Sequence, residues 1–186
     1  IMKIALIAPP YPLEEVPSPP LGVTYIAAVC EAAGAEVIIL DYIVRGYSET
    51  KLKQEIQAFG PDIVGTNSVT MNFNRAAGIL RTVKQAFPDI ITLMGGPHVS
   101  FDSENTLALY PEIDIIVKGE GEATVPELLG VIHDREKWYT IPGIVFKDSE
   151  QIRTTAQRPF IQNLDALPLP ARHLLPMARY QALGYP

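Results

Sequence analysis

Ile90-Ile91-Thr92-Leu93-Met94-Gly95-Gly96-Pro97-His98 is the stretch from which the fold of this chain can be read. Five mostly apolar residues run into a double glycine, then a proline and a histidine. An apolar run of this kind suits a strand buried on both faces, as in a parallel sheet. Glycine costs conformational entropy, so a pair at a strand end points to a tight bend, a close approach of backbone to a ligand, or both. A plain turn is the alternative, and the recurrence of the pattern elsewhere weighs against it.

Just upstream, residues 62–66 form a strand that ends in Asn67-Ser68-Val69-Thr70-Met71-Asn72. Between the two strands Ala76, Leu80, Val83 and Phe87 make a helical apolar stripe, which Pro88 ends. Further upstream, residues 3–8 and 37–40 are short apolar strands. A helix with Leu21, Tyr25, Ala28 and Ala32 on one face separates them, and Gly34 sits where its C-terminus falls. Leu52, Ile56 and Phe59 mark another helix, opened by Ser48 and closed by Gly60-Pro61. An irregular, acidic, proline-rich loop fills residues 9–20.

Downstream come a short helix near residues 102–109 and a fifth strand at 114–117, which ends in Lys118-Gly119-Glu120-Gly121-Glu122. A last helix begins near Thr124, where Thr124 and Glu127 have capping-box spacing, with Leu128 and Ile132 on its apolar face. Five strand–helix alternations with short links predict an α/β fold: a doubly wound, flavodoxin- or Rossmann-like sheet of five parallel strands with helices on both faces, over residues 1–135. Residues 143–146 and 151–154 read as a β-hairpin, an extension at 136–156. Prolines 159, 168, 170, 176 and 186 mark 157–186 as a linker crossing a surface toward something else.

Composition narrows the function. The chain has 186 residues, 47% of them hydrophobic and 19% charged, as in an ordinary globular domain. A net charge of −6 with no basic block argues against a nucleic-acid partner. No apolar run approaches the ~20 residues that span a bilayer, so no membrane partner is expected. The lone cysteine, Cys30, excludes an internal disulfide framework and fits a reducing, cytoplasmic setting. Set among Ala27, Ala28, Ala32 and Ala33, it reads as core.

In an open parallel sheet, ligands bind at the carboxyl ends of the strands. Here those ends read Ala8-Pro9-Pro10, Asn67-Ser68-Val69-Thr70, Gly95-Gly96-Pro97-His98 and Gly119-Glu120-Gly121-Glu122. All are small, polar or glycine-rich. Prolines stand where a dinucleotide fold needs G-x-G-x-x-G, and a P-loop lysine is missing. Thr66 stands where a phospho-receiver needs aspartate, and the loop after the first strand lacks the Ser/Thr/Gly character of a flavin-phosphate site. His98, His133 and His173 are too scattered for a metal site, but His98 lies on the binding edge and is a candidate ligand contact. Glu120 and Glu122 could serve as general acids, yet carboxylates at a helix N-terminus are common for structural reasons. No residue is assigned a catalytic or metal-binding role.

In order and spacing, Pro9-Pro10, Pro19-Pro20-Leu21-Gly22, Ser68-Val69-Thr70, Met94-Gly95-Gly96-Pro97-His98 and Val117-Lys118-Gly119-Glu120-Gly121-Glu122 resemble the amino-terminal cobalamin-binding domain of cobalamin-dependent radical S-adenosylmethionine (SAM) enzymes. Ile141-Pro142-Gly143-Ile144 and Leu164-Asp165-Ala166-Leu167-Pro168-Leu169-Pro170 resemble the segments that lead into the radical domain. The resemblance implies a bound cobalamin whose benzimidazole tail is drawn away from cobalt into the protein. It implies that Ser68 and Thr70, with Val69 between them, bond the tail region, and that Gly95-Gly96, followed by Pro97, let backbone pass the nucleotide loop. Gly119, Glu120, Gly121 and Glu122 would flank the nucleotide, with Pro9, Pro10, Tyr11, Leu21 and Gly22 toward the corrin.

Two departures sharpen the expectation. Related methionine-synthase-like domains carry D-x-H-x-x-G, whose histidine binds cobalt. If Gly22 is that glycine, Pro17 and Pro19 replace the aspartate and histidine, which implies base-off cobalamin without a histidine ligand. Radical SAM enzymes also need C-x-x-x-C-x-x-C for a 4Fe-4S cluster, and one cysteine cannot supply it. The chain is therefore expected to be a piece of a longer protein that does not turn over alone. Its partner would be a radical SAM barrel of the same chain, which would hold the cluster, SAM and a small-molecule substrate for methyl transfer or related radical chemistry. The alternatives are a cobalamin-free docking or substrate-gating domain, marked by bulky side chains filling the space over Ser68 and Gly95, and a small-molecule sensor on the same fold.

Overall fold

The computed structural model describes residues 1–12 and 16–185; positions 13–15 of the proline-rich loop and Pro186 lie outside the described residues. Chain order is β1 (Lys3–Ala8), α1 (Leu21–Ala32), β2 (Glu36–Asp41), α2 (Tyr42–Arg45), α3 (Glu49–Phe59), β3 (Ile63–Asn67), α4 (Phe73–Ala86), β4 (Ile91–Gly95), α5 (Pro97–Phe101), α6 (Ser103–Leu109), β5 (Ile115–Val117), α7 (Gly121–Leu129), α8 (Arg135–Trp138), β6 (Ile144–Asp148), β7 (Gln151–Thr154) and α9 (Met177–Ala182). Strands β1 to β5 are parallel in the order 2-1-3-4-5, so the sheet reverses direction of growth between β1 and β3. The mixed α/β fold has the flavodoxin-like topology expected from the alternation.

The sheet is larger than the five strands expected. The hairpin β6–β7 pairs antiparallel with β5 and makes one seven-stranded sheet. Its residues are core residues: Ile144, Val145 and Phe146 are buried, as is Trp138 ahead of them. Alternation along each strand sends residues to two clusters. Ile4, Leu6, Ala8, Ile63, Leu93, Ile115 and Val117 face α1 and α7, while Ala5, Ile7, Val64, Met94 and Ile116 face the side packed by α3 and α4.

Helix boundaries follow local chemistry. Ser48 Oγ accepts from Lys51 N at 3.2 Å, and Gly60, at φ 64°, closes α3 with its N–H on Ile56 O. The capping box at Thr124 does not form: α7 starts three residues earlier, at Gly121, because the β5 turn already points the chain into the helix there. Thr124 is instead buried mid-helix with Oγ1 on Pro142 O at 3.4 Å, and Glu127 pairs with Arg158. The short helix expected near 102–109 is α6; ahead of it stands one that was not expected, α5, since the chain coils immediately at Pro97, a residue suited to the first helical turn.

The segment after β7 lies against the domain. Arg158 holds Glu127, and Ile161 N donates to Glu120 Oε2 at 2.6 Å. Ala171 N reaches Thr24 O on α1 at 3.0 Å, and Ala171, Leu175 and Tyr180 are buried. The Tyr180 hydroxyl donates to Asp41 Oδ2 at 2.6 Å at the far edge of the sheet. Among the described residues no helix is long and apolar enough to cross a membrane.

Candidate functional site: a glycine-walled slot

Between the sheet and the first turns of α1 and α7 lies a slot of about 330 Å³. Leu6, Gly65, Leu93, Gly95 and Val117 form its sheet side; Gly22, Val23 and Ile26 of α1 and Gly121 and Val125 of α7 form its helix side. Asn67, Gly119, Glu120 and Glu122 stand at its rim. The interior is overwhelmingly apolar. A second cleft opens beside it over the β1/β3 crevice, lined by Pro9, Tyr11, Pro17, Ser18, Pro20, Ile43 and Val69. Asn67 belongs to both.

The glycines explain why the slot exists. A Cβ on Gly22 would meet nothing within 4 Å, and one on Gly95 only Val117 O, at 3.7 Å. The protein's own packing therefore leaves space at both positions, one on each wall. A Cβ on Gly121 would come to 3.0 Å from Ile26 Cδ1 and 3.4 Å from Val117 Cγ1, so this glycine lets α7 approach the sheet. Gly65 does the same beneath Leu6, whose Cδ2 would lie 2.9 Å from an added Cβ.

Gly96 has a separate task. At φ 103° its Cβ position lies 2.4 Å from Ser68 O, so the β4 turn presses directly on the β3 turn. Ser68 N donates to Gly95 O at 3.0 Å. Ser100 then joins this pair to the β5 turn: its Oγ donates to Gly96 O at 2.9 Å and accepts from Gly119 N at 3.1 Å. Ser68, Gly95 and Gly119 thus share one rim.

The sites expected from sequence divide among these features. Gly22, Gly95, Gly96, Pro97, Gly119, Glu120, Gly121 and Glu122 line the slot, while Pro9, Tyr11 and Val69 line the neighbouring cleft. Pro10 borders a shallower hollow with Asn72 and Arg75, and Leu21 is exposed. Ser68 and Thr70 lie outside the slot lining. The Ser68 side chain is fully buried with Oγ 3.5 Å from Met94 Sδ, on the opposite side of the sheet. Thr70 Oγ1 is 3.2 Å from His98 Nδ1, and the His98 ring packs on Phe73 with centroids 4.2 Å apart. Glu120 is occupied by Ile161 N, and His173 contacts Glu31 at 3.1 Å. Among the described residues no cluster of three potential metal-ligating side chains occurs. Burial pushes the Cys30 thiol up to about 12, so it stays protonated core.

Sequence reading missed Gly65, Ser100 and the apolar lining, and gave Asn67 only as part of a strand end. One signal was available: Gly22 and Ile26, like Gly121 and Val125, place a glycine one helical turn before a β-branched residue on the same face.

The family model described as B12 binding domain matches residues 15–129. An uncharacterized methyltransferase of Pyrococcus horikoshii, PH0819, is 34% identical over 191 residues, which cover all of this chain and 41% of that protein. The anaerobic magnesium-protoporphyrin IX monomethyl ester cyclase of Rubrivivax gelatinosus is 33% identical over 156 residues, 80% of this chain and 28% of its own length. The chain thus spans less than half the length of these curated relatives. Among solved structures, the cobalamin-dependent S-adenosylmethionine radical enzyme OxsB with aqua-cobalamin and S-adenosylmethionine bound superposes with a TM-score of 0.82. Identity there is 19%, over 98% of this chain and 25% of that one, a likeness of fold.

Proposed function

The chain belongs to the B12-binding domain family; from that premise we propose that it is a cobalamin-binding module of the type associated with radical SAM enzymes, and that it holds cobalamin base-off, with the nucleotide base in the glycine-walled slot. The observation that carries the reading is the pair of walls on which Gly22 and Gly95 leave space that the protein itself does not need. A volume of about 330 Å³ is roughly twice that of an apolar cavity that admits one benzene, so a planar bicyclic base fits. Val23, Ile26, Leu93 and Val125 would bury its faces, and Asn67, with the Gly119–Glu122 backbone, would orient the nucleotide at the rim. Pro9, Tyr11 and Val69 would stand beneath the corrin. Thr70 would act from the far side of the β3 turn, held by His98.

With Gly22 taken as the glycine of D-x-H-x-x-G, Pro17 and Pro19 fall at the aspartate and histidine and offer no ligand to cobalt, which supports a lower face without histidine. When bound, the cobalt centre supplies the methyl-carrying chemistry; the residues here bind and orient it. In a longer protein, a radical SAM domain holding a 4Fe-4S cluster and SAM would act on the substrate. Radical methyl transfer, or a related radical reaction, is the activity this supports.

Anaerobic titration with hydroxocobalamin tests the reading. The expected result is a changed absorption spectrum and retention of corrinoid through desalting, with the Co(II) form lacking axial nitrogen in its spin-resonance spectrum. Failure to retain it would overturn cobalamin binding in the slot, and an axial nitrogen signal would overturn the base-off, histidine-free assignment. The cobalamin-free docking alternative called for bulky side chains over Ser68 and Gly95; the slot beside Gly95 is open, while Ser68 is buried outside it.

A further inference from the structure

We infer that the slot selects among corrinoids by the chemistry of the lower base, accepting an apolar benzimidazole or phenol and discriminating against an aminopurine. The inference rests on the placement of the base proposed above.

The interior surface comes from Leu6, Val23, Ile26, Leu93, Val117 and Val125. The polar side chains that border it are accounted for elsewhere or stand at the rim. Thr66 Oγ1 donates to Ile7 O at 3.0 Å, and Glu120 Oε2 accepts from Ile161 N at 2.6 Å. Asn67 ends β3 and Glu122 lies in the first turn of α7, both half-buried at the carboxyl edge of the sheet.

A base carried past that rim meets side chains that can neither donate nor accept. A benzimidazole or a phenol ring loses little by this, because the edge that enters carries methyl or ring carbon. An adenine carries an exocyclic amine and ring nitrogens on the entering edge, and each leaves water without a side-chain partner. An apolar site disfavours a ligand of similar size with an added polar group by roughly 10- to 100-fold. Ile26 is the residue best placed to set the preference. Its Cδ1 lies over Gly121, it is only partly buried, and it reaches the slot from a helix rather than from the sheet.

The test uses the whole chain and four probes: cobalamin, its p-cresolyl and adeninyl analogues, and cobinamide, which lacks a base. Dissociation constants are read from absorption titrations, with no turnover required. Cobalamin and the p-cresolyl form should bind alike, with the adeninyl form weaker by about tenfold or more. Cobinamide should also bind more weakly than cobalamin. Ile26→Gln, which places an amide in the slot, should shrink the gap between cobalamin and the adeninyl form, as should the smaller change Val125→Thr if the first variant folds poorly. Equal binding of cobalamin and the adeninyl form, or a gap unmoved by both substitutions, overturns the inference while cobalamin binding stands. Loss of all four corrinoids overturns the functional reading and the inference together.

Discussion

Gly96 and Ser68 are in backbone contact so close that a single methyl on Gly96 would stand 2.4 Å from the Ser68 carbonyl oxygen. Gly95, its neighbour, has no such constraint. The two glycines of one motif therefore separate on substitution. Gly96→Ala combines a left-handed φ with a backbone clash and should cost on the order of 3–5 kcal/mol. Gly95→Ala should leave stability within about 1 kcal/mol, and should weaken hydroxocobalamin by on the order of tenfold as its methyl enters the slot. Urea unfolding and absorption titration of both variants check the split; equal destabilisation by the two would refute it.

Gly22 predicts the opposite trade. It lies in the first turn of α1, with nothing within 4 Å of its Cβ position. Gly22→Ala should stabilise the fold by up to about 1 kcal/mol, because glycine is the poorer helix former. The same methyl narrows the slot, so cobalamin affinity should fall as the thermal midpoint rises. A variant that gains stability and keeps full affinity would show that α1 does not wall the binding site.

Ser100 should act as a tie between turns. Ser100→Ala removes the link from Gly96 O to Gly119 N and should cost about 0.5–1.5 kcal/mol. Hydrogen exchange at Gly119 should accelerate well beyond what this global loss explains. Unchanged protection at Gly119 would mean the β5 turn holds its shape without the tie.

Tyr180 and Asp41 give a pH-dependent prediction. Burial raises the Asp41 carboxyl above its ordinary range, and the Tyr180 hydrogen bond opposes that rise, as do the Ile43 amide and Arg45. A raised folded value means that the contribution of this carboxyl is fully present below the ordinary aspartate range and is lost as pH climbs through the folded value. Tyr180→Phe removes a donor to the ionised form, so it should raise the carboxyl further. The variant should lose about 1–3 kcal/mol near neutral pH and less near pH 4. Denaturant unfolding at both pH values checks the sign; a loss that is larger in acid would reverse the argument.

What could be read from sequence follows from what periodicity reports. The stripe through Ala76, Leu80 and Val83, and the apolar strand before Gly95, declare burial and element type directly. The order Gly-Gly-Pro, then Gly-x-Gly, declares the edge at which backbones crowd. Periodicity does not say which way a short polar side chain turns at a strand end. Ser68 looked like a hydroxyl offered to a ligand, yet it is the buried residue against which Gly96 closes. Thr124 looked like a helix start, because its spacing to Glu127 is a local cue that the turn at Gly119 overrides. Residues 157–186 read as a departing linker from their prolines alone, while the anchors Ala171, Leu175 and Tyr180 are long-range contacts that no local window contains.

The antiparallel pairing of β6 on β5 separates two lengths that are easily confused. The stretch that matches the family ends at residue 129, but β5 is only three residues long, and its outer side is completed by Ile144–Asp148. Cut at the family boundary, the domain would shed Trp138 and Phe146 and bare a hydrophobic strand flank, an invitation to self-association. Every residue that lines the slot precedes position 129, whereas the cover of β5 comes after it, so expression trimmed at that boundary should yield aggregate although the lining is complete.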